Sequence, residues 1–518
     1  MTQMTVSATS PPDTTRATSI RSSRPHERRG TRWGDQALVL APLLAVLLVA
    51  TIARLATVDT QSAWQDEGYS IAVAHHSIGD LVAFTARYDM HPILYYVVLH
   101  LWLGVVGFAV VPARLLSVIC GVGSIAALYA VARALFDRTS ALCAALVLAL
   151  SPIAAWYATE ARMYAMAGFF ALLAVAFLLR ASRRGVPALW AGYVVCGALA
   201  FYSDYSSAYL LSVTAAVALV VGWARPGFAR RWLLAHIGLL ALLSPALWIL
   251  HGQTRDLAAI DWIPAPTLET VLGSLATIVG QHSPAPVLVT LVGVGLAALG
   301  GWAVVADRRR MEMREGYLWV AALFLAPLGL PLLLSIAHPV FITQAVQMAV
   351  FGLSIFFARG IVMLWRWQRL AGVLALTCVL AVSGLSLQTV AATTIKEDWR
   401  GAAAYVHQQA APGDVLIFDQ RYLQLPFDLY WQRFGLSNVE RGYPLDETLA
   451  RASPQPLGTE RELAAATTYA RTVWVITRQP ADTPLPADLV GAWLPRHFTL
   501  QGQHYFNGVS VYRFASPR

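Results

Sequence analysis

The sequence predicts a polytopic all-α membrane protein with a small α/β domain at its C-terminal end. Three observations carry this. Hydrophobic residues make up 57% of the 518 positions and charged residues only 13%, with a mean hydropathy of +0.55, whereas soluble domains run at about 45–50% apolar and about 25% charged. The apolar residues are gathered into eleven runs of roughly the length a bilayer demands, about 20 residues each. The last 128 residues, 391–518, regain charge and a different periodicity. A water-soluble globular protein is excluded, as is a disordered chain away from the ends.

Residues 1–35 are polar and rich in Ser, Thr, Pro and Arg, and are expected to be a disordered cytoplasmic tail. Six arginines, from Arg16 to Arg32, precede the first apolar run, 36–57. Its leader and apolar core are too long for a cleaved signal peptide, so it reads as an uncleaved anchor. Further spans are expected near 109–132, 139–157, 163–181, 187–203, 205–223, 232–250, 285–305, 317–337, 340–358 and 369–390. The segment 91–107, HPILYYVVLHLWLGVVG, is apolar but short and contains His91, Pro92 and His100. Laid along the outer interface, it leaves the clusters around Arg133, Arg183, Arg230, Arg309 and Arg366 in cytoplasmic loops. Passed through the bilayer, it would put every one of them outside. The positive-inside rule selects the interfacial placement.

The net charge of +9 does not point to nucleic acid, because the cations sit in short clusters between apolar runs, where membrane proteins keep their anchors. Lys396 is the only lysine in the chain. Cys120, Cys143, Cys196 and Cys378 lie inside apolar runs without metal-ligand spacing and read as small core hydrophobes.

This orientation makes 36–390 a transmembrane module and 391–518 an extracytoplasmic α/β domain. DVLIF (414–418) and RTVWVIT (471–477) read as buried strands. FTLQGQHYFNGVSVYRF (498–514) alternates about Asn507-Gly508 and reads as a hairpin. DWRGAAAYVHQQ (398–409) reads as a helix ended by Pro412-Gly413.

Ionisable residues at membrane depth or its edge are costly and are functional candidates by default. The chain carries Asp66 and Glu67 in WQDEGYS, Asp89 and His91 in YDMHP, Arg114 at the entrance to the second span, Glu160 and Arg162 in WYATEARMYA, and Asp204 in YSDYS. Singly, each has a plain reading: Asp66 as a helix cap, Glu160 paired with Arg162, Asp204 as a loop residue. Their concentration on one face, assigned independently by the arginines, argues for a site.

The ordered series DEGYS, DMHPILYYVVLHLWLG, ARLLS, LSPIAAWYATEARMYA and YSDYS resembles the C superfamily of membrane glycosyltransferases, in the protein O-mannosyltransferase and lipid A aminoarabinose-transferase group (family 39-like), over about residues 60–225. Ile93 replaces a common proline, Ser203-Asp204-Tyr205 replaces the usual Thr-His-Tyr, and FITQAVQ (341–347) stands where an Arg-Tyr pair is frequent. The resemblance implies a polyprenyl-phosphate sugar donor, mannose-like or pentose, and inverting transfer to a hydroxyl of a glycan, lipid or protein at the outer face of a bacterial plasma membrane. By that resemblance Asp66 is the general base and Glu67 its orienting partner, Arg114 and Arg162 hold the donor phosphate, and Asp89, His91, Tyr95, Glu160, Tyr164 and Asp204 position substrate. Asp89, Glu160 and His91 are also candidate ligands for a divalent cation. The rival reading is a transporter or flippase, which would place its polar residues near the midplane between repeats.

Overall fold

In a computed structural model the described residues are 32–253, 262–418, 420–431, 440–441, 460–478, 485 and 489–517. The expected disordered tail lies outside them, except for 32–35, which open the first helix. The chain divides into a short unit, 1–42, and a second, 43–518, that holds everything below.

Each of the eleven predicted spans contains a helix, but 139–157 is interrupted at 150–151, and 340–358 is helical only over 343–346 and from 349, so that span lies later in the chain than expected. In chain order the first elements are α1 (Arg32–Thr57), then α2 (Gln65–Ala74), α3 (Ile78–Tyr88) and α4 (Leu94–Val106) in the first long loop. The spans continue with α5 (Val110–Leu135), α6 (Arg138–Ala149) and α7 (Pro152–Ala158), α8 (Tyr164–Arg184), α9 (Pro187–Ser203), α10 (Ser207–Gly222) and α11 (Phe228–Gln253). After α12 (Leu268–Gly280) come α13 (Pro286–Asp307), α14 (Met311–Leu334), the single turn α15 (Thr343–Val346), α16 (Ala349–Trp367) and α17 (Arg369–Ala392). Among the described residues, eight helices are long and apolar enough to cross a membrane alone, and the bent pair α6–α7 makes a ninth. The count of eleven is therefore not met on length: α9 and α10 have only 17 and 16 residues.

Local chemistry explains the irregular places. Pro152 cannot donate to a continuing helix, so it starts α7 as its first residue and the axis turns by 61°. A broken helix inside a bilayer leaves carbonyls that must be met from within the protein. Arg54 of α1 does this, with Nη1 donating to the Ala149 carbonyl at 2.9 Å. The 13 residues of α4 span about 20 Å at 1.5 Å per residue, short of the roughly 30 Å hydrocarbon core. It packs against α2, α3, α5 and α9, as an interfacial helix should.

The C-terminal region comprises α18 (Trp399–Gln409), β1 (Val415–Phe418), α19 (Gln424–Trp431), β2 (Glu440–Arg441), α20 (Glu460–Thr467), β3 (Thr472–Thr477), α21 (Leu489–His497), β4 (Thr499–Phe506) and β5 (Val509–Ala515). The sheet order is β2-β1-β3-β5-β4, parallel around β1 and antiparallel beyond β3. β1 and the four central residues of β3, 473–476, are apolar because both faces are covered. Val415, Ile417, Val473 and Val475 join a cluster with Leu463, Val490 and Trp493, while Leu416, Phe418, Trp474 and Ile476 join the core that runs on into the transmembrane helices. The region is thus docked as well as tethered. The hairpin forms where expected, with Gly508 at φ +67, a conformation glycine adopts without a Cβ clash. The expected alternation along 498–514 is not observed. β4 is the outer strand and is exposed along its first six residues, whereas β5, covered by its neighbours, is buried along its first four.

Candidate active site

The acidic residues of distant segments meet at one end of the helices, beside the C-terminal domain, in two linked groups. Asp66 and Glu67 occupy the first turn of α2, where a helix N-terminus favours negative charge. Consecutive helical residues point in different directions, and the pair divides accordingly. Glu67 is fully buried, while the Asp66 side chain keeps 35% of its exposure.

Glu67 is the centre of the buried group. Arg114 grips it with both ends of its fork, Nε to Oε1 and Nη2 to Oε2, each at 2.7 Å. The Ala161 N–H donates to Oε1 at 2.9 Å, and Lys396 Nζ reaches Oε2 at 3.1 Å. Burial raises a carboxyl, but the two cations and these donors prevail and hold Glu67 at about 2. Lys396 also pairs with Glu160 Oε1 at 3.0 Å, and its ammonium lies 4.9 Å from the ring centre of Trp156 and 5.9 Å from that of Trp64. Glu160 is raised, first by burial and then by Glu67, with Lys396 opposing both.

Arg114 does not fit the expected donor-phosphate role. Besides the two bonds to Glu67 it donates to the carbonyls of Val58, Gln61 and Ser62 at 2.8, 2.9 and 3.1 Å. A guanidinium has five N–H groups and all five are committed. Arg114 therefore staples the end of α1 to α2 and sets the position of Glu67.

The second group is a chain from Tyr69 to Asp66. Tyr69 donates to Asp89 Oδ2 at 2.8 Å, and Asp89 Oδ1 receives the His91 backbone N–H at 2.9 Å and faces His91 Nδ1 at 2.8 Å. His91 Nε2 stands 3.2 Å from Arg162 Nη2. Arginine can only donate, so Nε2 accepts and the proton of His91 is on Nδ1, toward Asp89. Asp89 sits below the usual carboxylate range: burial raises it, but His91 and the Tyr69 hydroxyl lower it further. Arg162 bonds Ser70 Oγ at 3.2 Å and pairs with Asp66 Oδ2 at 3.6 Å. Its Nε is buried with no partner among the described residues.

The remaining candidates divide. Tyr164 lies beneath the Arg162 guanidinium, 5.8 Å to the ring centre, and edge-on to Tyr157. Tyr95 is fully buried against Tyr96. Asp204 accepts the Ser206 N–H at 2.8 Å and shapes the α9–α10 turn, its plain reading. The candidate metal set does not converge, because Asp89 is paired with His91 whereas Glu160 belongs to Lys396. Among the described residues no group of three such ligands is placed to hold an ion.

Lys396 is the participant that the sequence reading missed. It follows α17, in a linker clamped from both sides. Gln61 Oε1 receives the Ile395 and Lys396 N–H groups at 2.8 and 3.2 Å. Asn507, at the hairpin tip, donates to the carbonyls of Thr394, Ile395 and Lys396 at 3.2, 3.0 and 2.8 Å. A solitary lysine in a chain that otherwise uses arginine was the available signal.

Comparison with known proteins bears on this arrangement. The family described as dolichyl-phosphate-mannose-protein mannosyltransferase matches over residues 90–250. A sequence search of curated proteins returned no match. Among solved structures, the apo form of ArnT from Cupriavidus metallidurans aligns with a TM-score of 0.62 at 14% identity, covering 93% of this chain and 98% of that one. The same protein bound to undecaprenyl phosphate aligns at 0.60 and 14%, covering 92% and 98%. The oligosaccharyltransferase AglB from Archaeoglobus fulgidus aligns at 0.50 and 12%, covering 93% and 74%. At such identities the structural likeness is one of fold. Residues 90–250 thus match the model of that family, and the chain as a whole shares the fold of ArnT.

Proposed function

We propose that this protein transfers a sugar from a polyprenyl-phosphate donor to an acceptor hydroxyl at the extracytoplasmic face of a bacterial plasma membrane, with Asp66 as general base. The observation that carries the reading is the division within α2: Asp66 is the open carboxylate, beside an arginine with an unspent N–H, while Glu67 and Glu160 are locked in buried ion pairs. The undecaprenyl phosphate bound to the structurally similar ArnT supports a lipid-linked donor.

An acceptor hydroxyl is a weak nucleophile and needs a base within about 2.6–3.2 Å. Asp66 takes the hydroxyl proton as the oxygen bonds to the anomeric carbon. The bond from that carbon to the phosphate oxygen breaks, and its electron pair leaves with the polyprenyl phosphate. An in-line attack inverts the anomeric centre. The leaving phosphate needs charge stabilisation more than a proton, and Arg162 Nε is the donor available for it. The Asp89–His91 pair and Ser70 hold Arg162 in place. Glu67, Arg114 and Lys396 form the rigid support beneath α2.

The test is product analysis with purified protein and a panel of hexose and pentose polyprenyl phosphates. One donor should yield a glycosylated product, and Asp66→Asn should lower its turnover by about 10²–10⁴-fold. Turnover near that of the unmodified protein in Asp66→Asn would remove Asp66 from the base role. No product from any donor would remove the transferase reading.

A further inference from the structure

At the other end of the helices, α5, α8, α14 and the α10–α11 turn line an open cavity of about 1060 Å³. Its wall carries Arg133, Arg180, Arg183, Arg184 and Arg225, with Asp137 and Glu315 as the acids. The site described above uses none of these residues, and Arg133 lies about 28 Å along α5 from Arg114 at 1.5 Å per residue.

This is an arranged set of charges. Arg180, Arg183 and Arg184 recur at i, i+3 and i+4 on α8, so they share one face, a spacing at which like charges oppose one another. Four of the guanidinium groups are pinned by one bond to a backbone carbonyl: Arg180 to Ala176 at 3.1 Å, Arg225 to Ser182 at 2.9 Å, Arg133 to Phe136 at 3.4 Å, and Arg183 to Ala134. The acids neutralise only one of them. Asp137 is drawn to Arg359 at 3.2 Å and Arg366 at 3.0 Å, outside the cavity wall. Glu315 reaches Arg225 at 3.8 Å. Arg133, Arg180, Arg183 and Arg184 have no carboxylate partner among the described residues. Positive groups so gathered call for an anion with several oxygens, and the guanidinium fork suits phosphate.

The depth of the cavity indicates the source of that phosphate. Val220 of α10 is 75% exposed, and Trp223, 65% exposed, follows it two residues before Arg225. Trp367, 74% exposed, ends α16 beside Arg366. Exposed tryptophans at the ends of apolar helices mark the headgroup level, and basic pockets between helices at that level suit lipid headgroups. We infer that this cavity binds the headgroup phosphate of an anionic phospholipid from the adjoining leaflet. This inference stands apart from the sugar-transfer reading and survives its failure.

The test uses the full chain in neutral detergent, with phosphatidylglycerol, phosphatidylcholine or inorganic pyrophosphate added at equal phosphate concentration. Phosphatidylglycerol should raise the unfolding temperature and remain on the protein in native mass spectrometry, and the other two should do neither. The double variant Arg180→Gln/Arg184→Gln should bind phosphatidylglycerol about thirtyfold more weakly, at about fivefold for each arginine near a charged surface. Arg133→Gln, on a different helix, should lose about fivefold, which keeps the test decisive if the double variant fails to fold. An equal effect of phosphatidylcholine, or unchanged binding by a folded variant, would overturn the site. Stabilisation by pyrophosphate equal to that by phosphatidylglycerol would overturn the lipid source in favour of a soluble anion.

Discussion

Glu67 and Lys396 are covered by protein, and groups removed from water respond differently from surface ions when one partner is deleted. Replacing Lys396 with Met leaves Glu160 without its cation and Glu67 with Arg114 alone, and breaking a buried pair this way costs about 3–5 kcal/mol. The lost cation was lowering the Glu160 carboxyl, so Glu160 should rise further and hold its proton to a higher pH than in the unmodified protein. An infrared band of a protonated carboxyl should appear in Lys396→Met and vanish in Lys396→Met/Glu160→Gln. Lys396→Arg should restore the charge and most of the stability. Absence of the band would show that Lys396 does not govern Glu160.

Glu67 makes a prediction in pH. Its folded value of about 2 lies below the ordinary 4.5, so the unfolded chain binds the proton more readily in acid. The stabilisation from this carboxylate is therefore complete above about pH 4.5 and is lost as pH falls toward 2. Unfolding temperatures of the unmodified protein and Glu67→Gln should differ by a constant amount from pH 8 to 5 and converge below 4.5. A gap that closes between pH 7 and 6 would contradict the ion-pair assignment.

At the scale of elements, the close approach of α2 to α19 joins the site to the C-terminal domain. A Cβ on Gly68 would stand 2.7 Å from Pro426 N and 2.8 Å from its Cα, and backbone atoms cannot swing aside as a side-chain tip can. Gly68→Ala should therefore loosen the docking at a cost of about 1–3 kcal/mol. Limited proteolysis within 391–518 should accelerate at least severalfold, with the membrane-embedded part still intact. An unchanged cleavage rate would mean that α2 and α19 can shift apart freely. The hairpin tip acts through the same junction, since Asn507 holds the linker that carries Lys396.

Over the whole molecule, charge is sorted by position. The acidic residues of the candidate site collect near the C-terminal domain, and around the cavity at the opposite ends of α5 and α8 arginines outnumber acids. The positive-inside rule converts this into sidedness. In a variant without the four native cysteines, Tyr469→Cys should react with an impermeant thiol reagent on intact cells, and Arg309→Cys should react only after lysis. Labelling of both from one side would invert or abolish the proposed extracytoplasmic site.

The sequence alone determined the membrane class, the helical character of the apolar runs, the hairpin at Asn507-Gly508 and the acidic positions, because hydropathy, turn chemistry and charge cost act locally along the chain. Tertiary structure alone decided the partners. Asp66 and Glu67 are neighbours of the same charge, yet one faces an opening and the other a buried pair of cations, since the helical turn between them sends one outward and one into the core. Arg114 has the side chain of a phosphate ligand, but the carbonyls of Val58, Gln61 and Ser62 consume its donors together with Glu67. Lys396 is more than 300 residues from Glu67 in the chain. Nothing local marks their meeting, which depends on how α17 ends, how the hairpin folds back, and how the C-terminal sheet packs against α2.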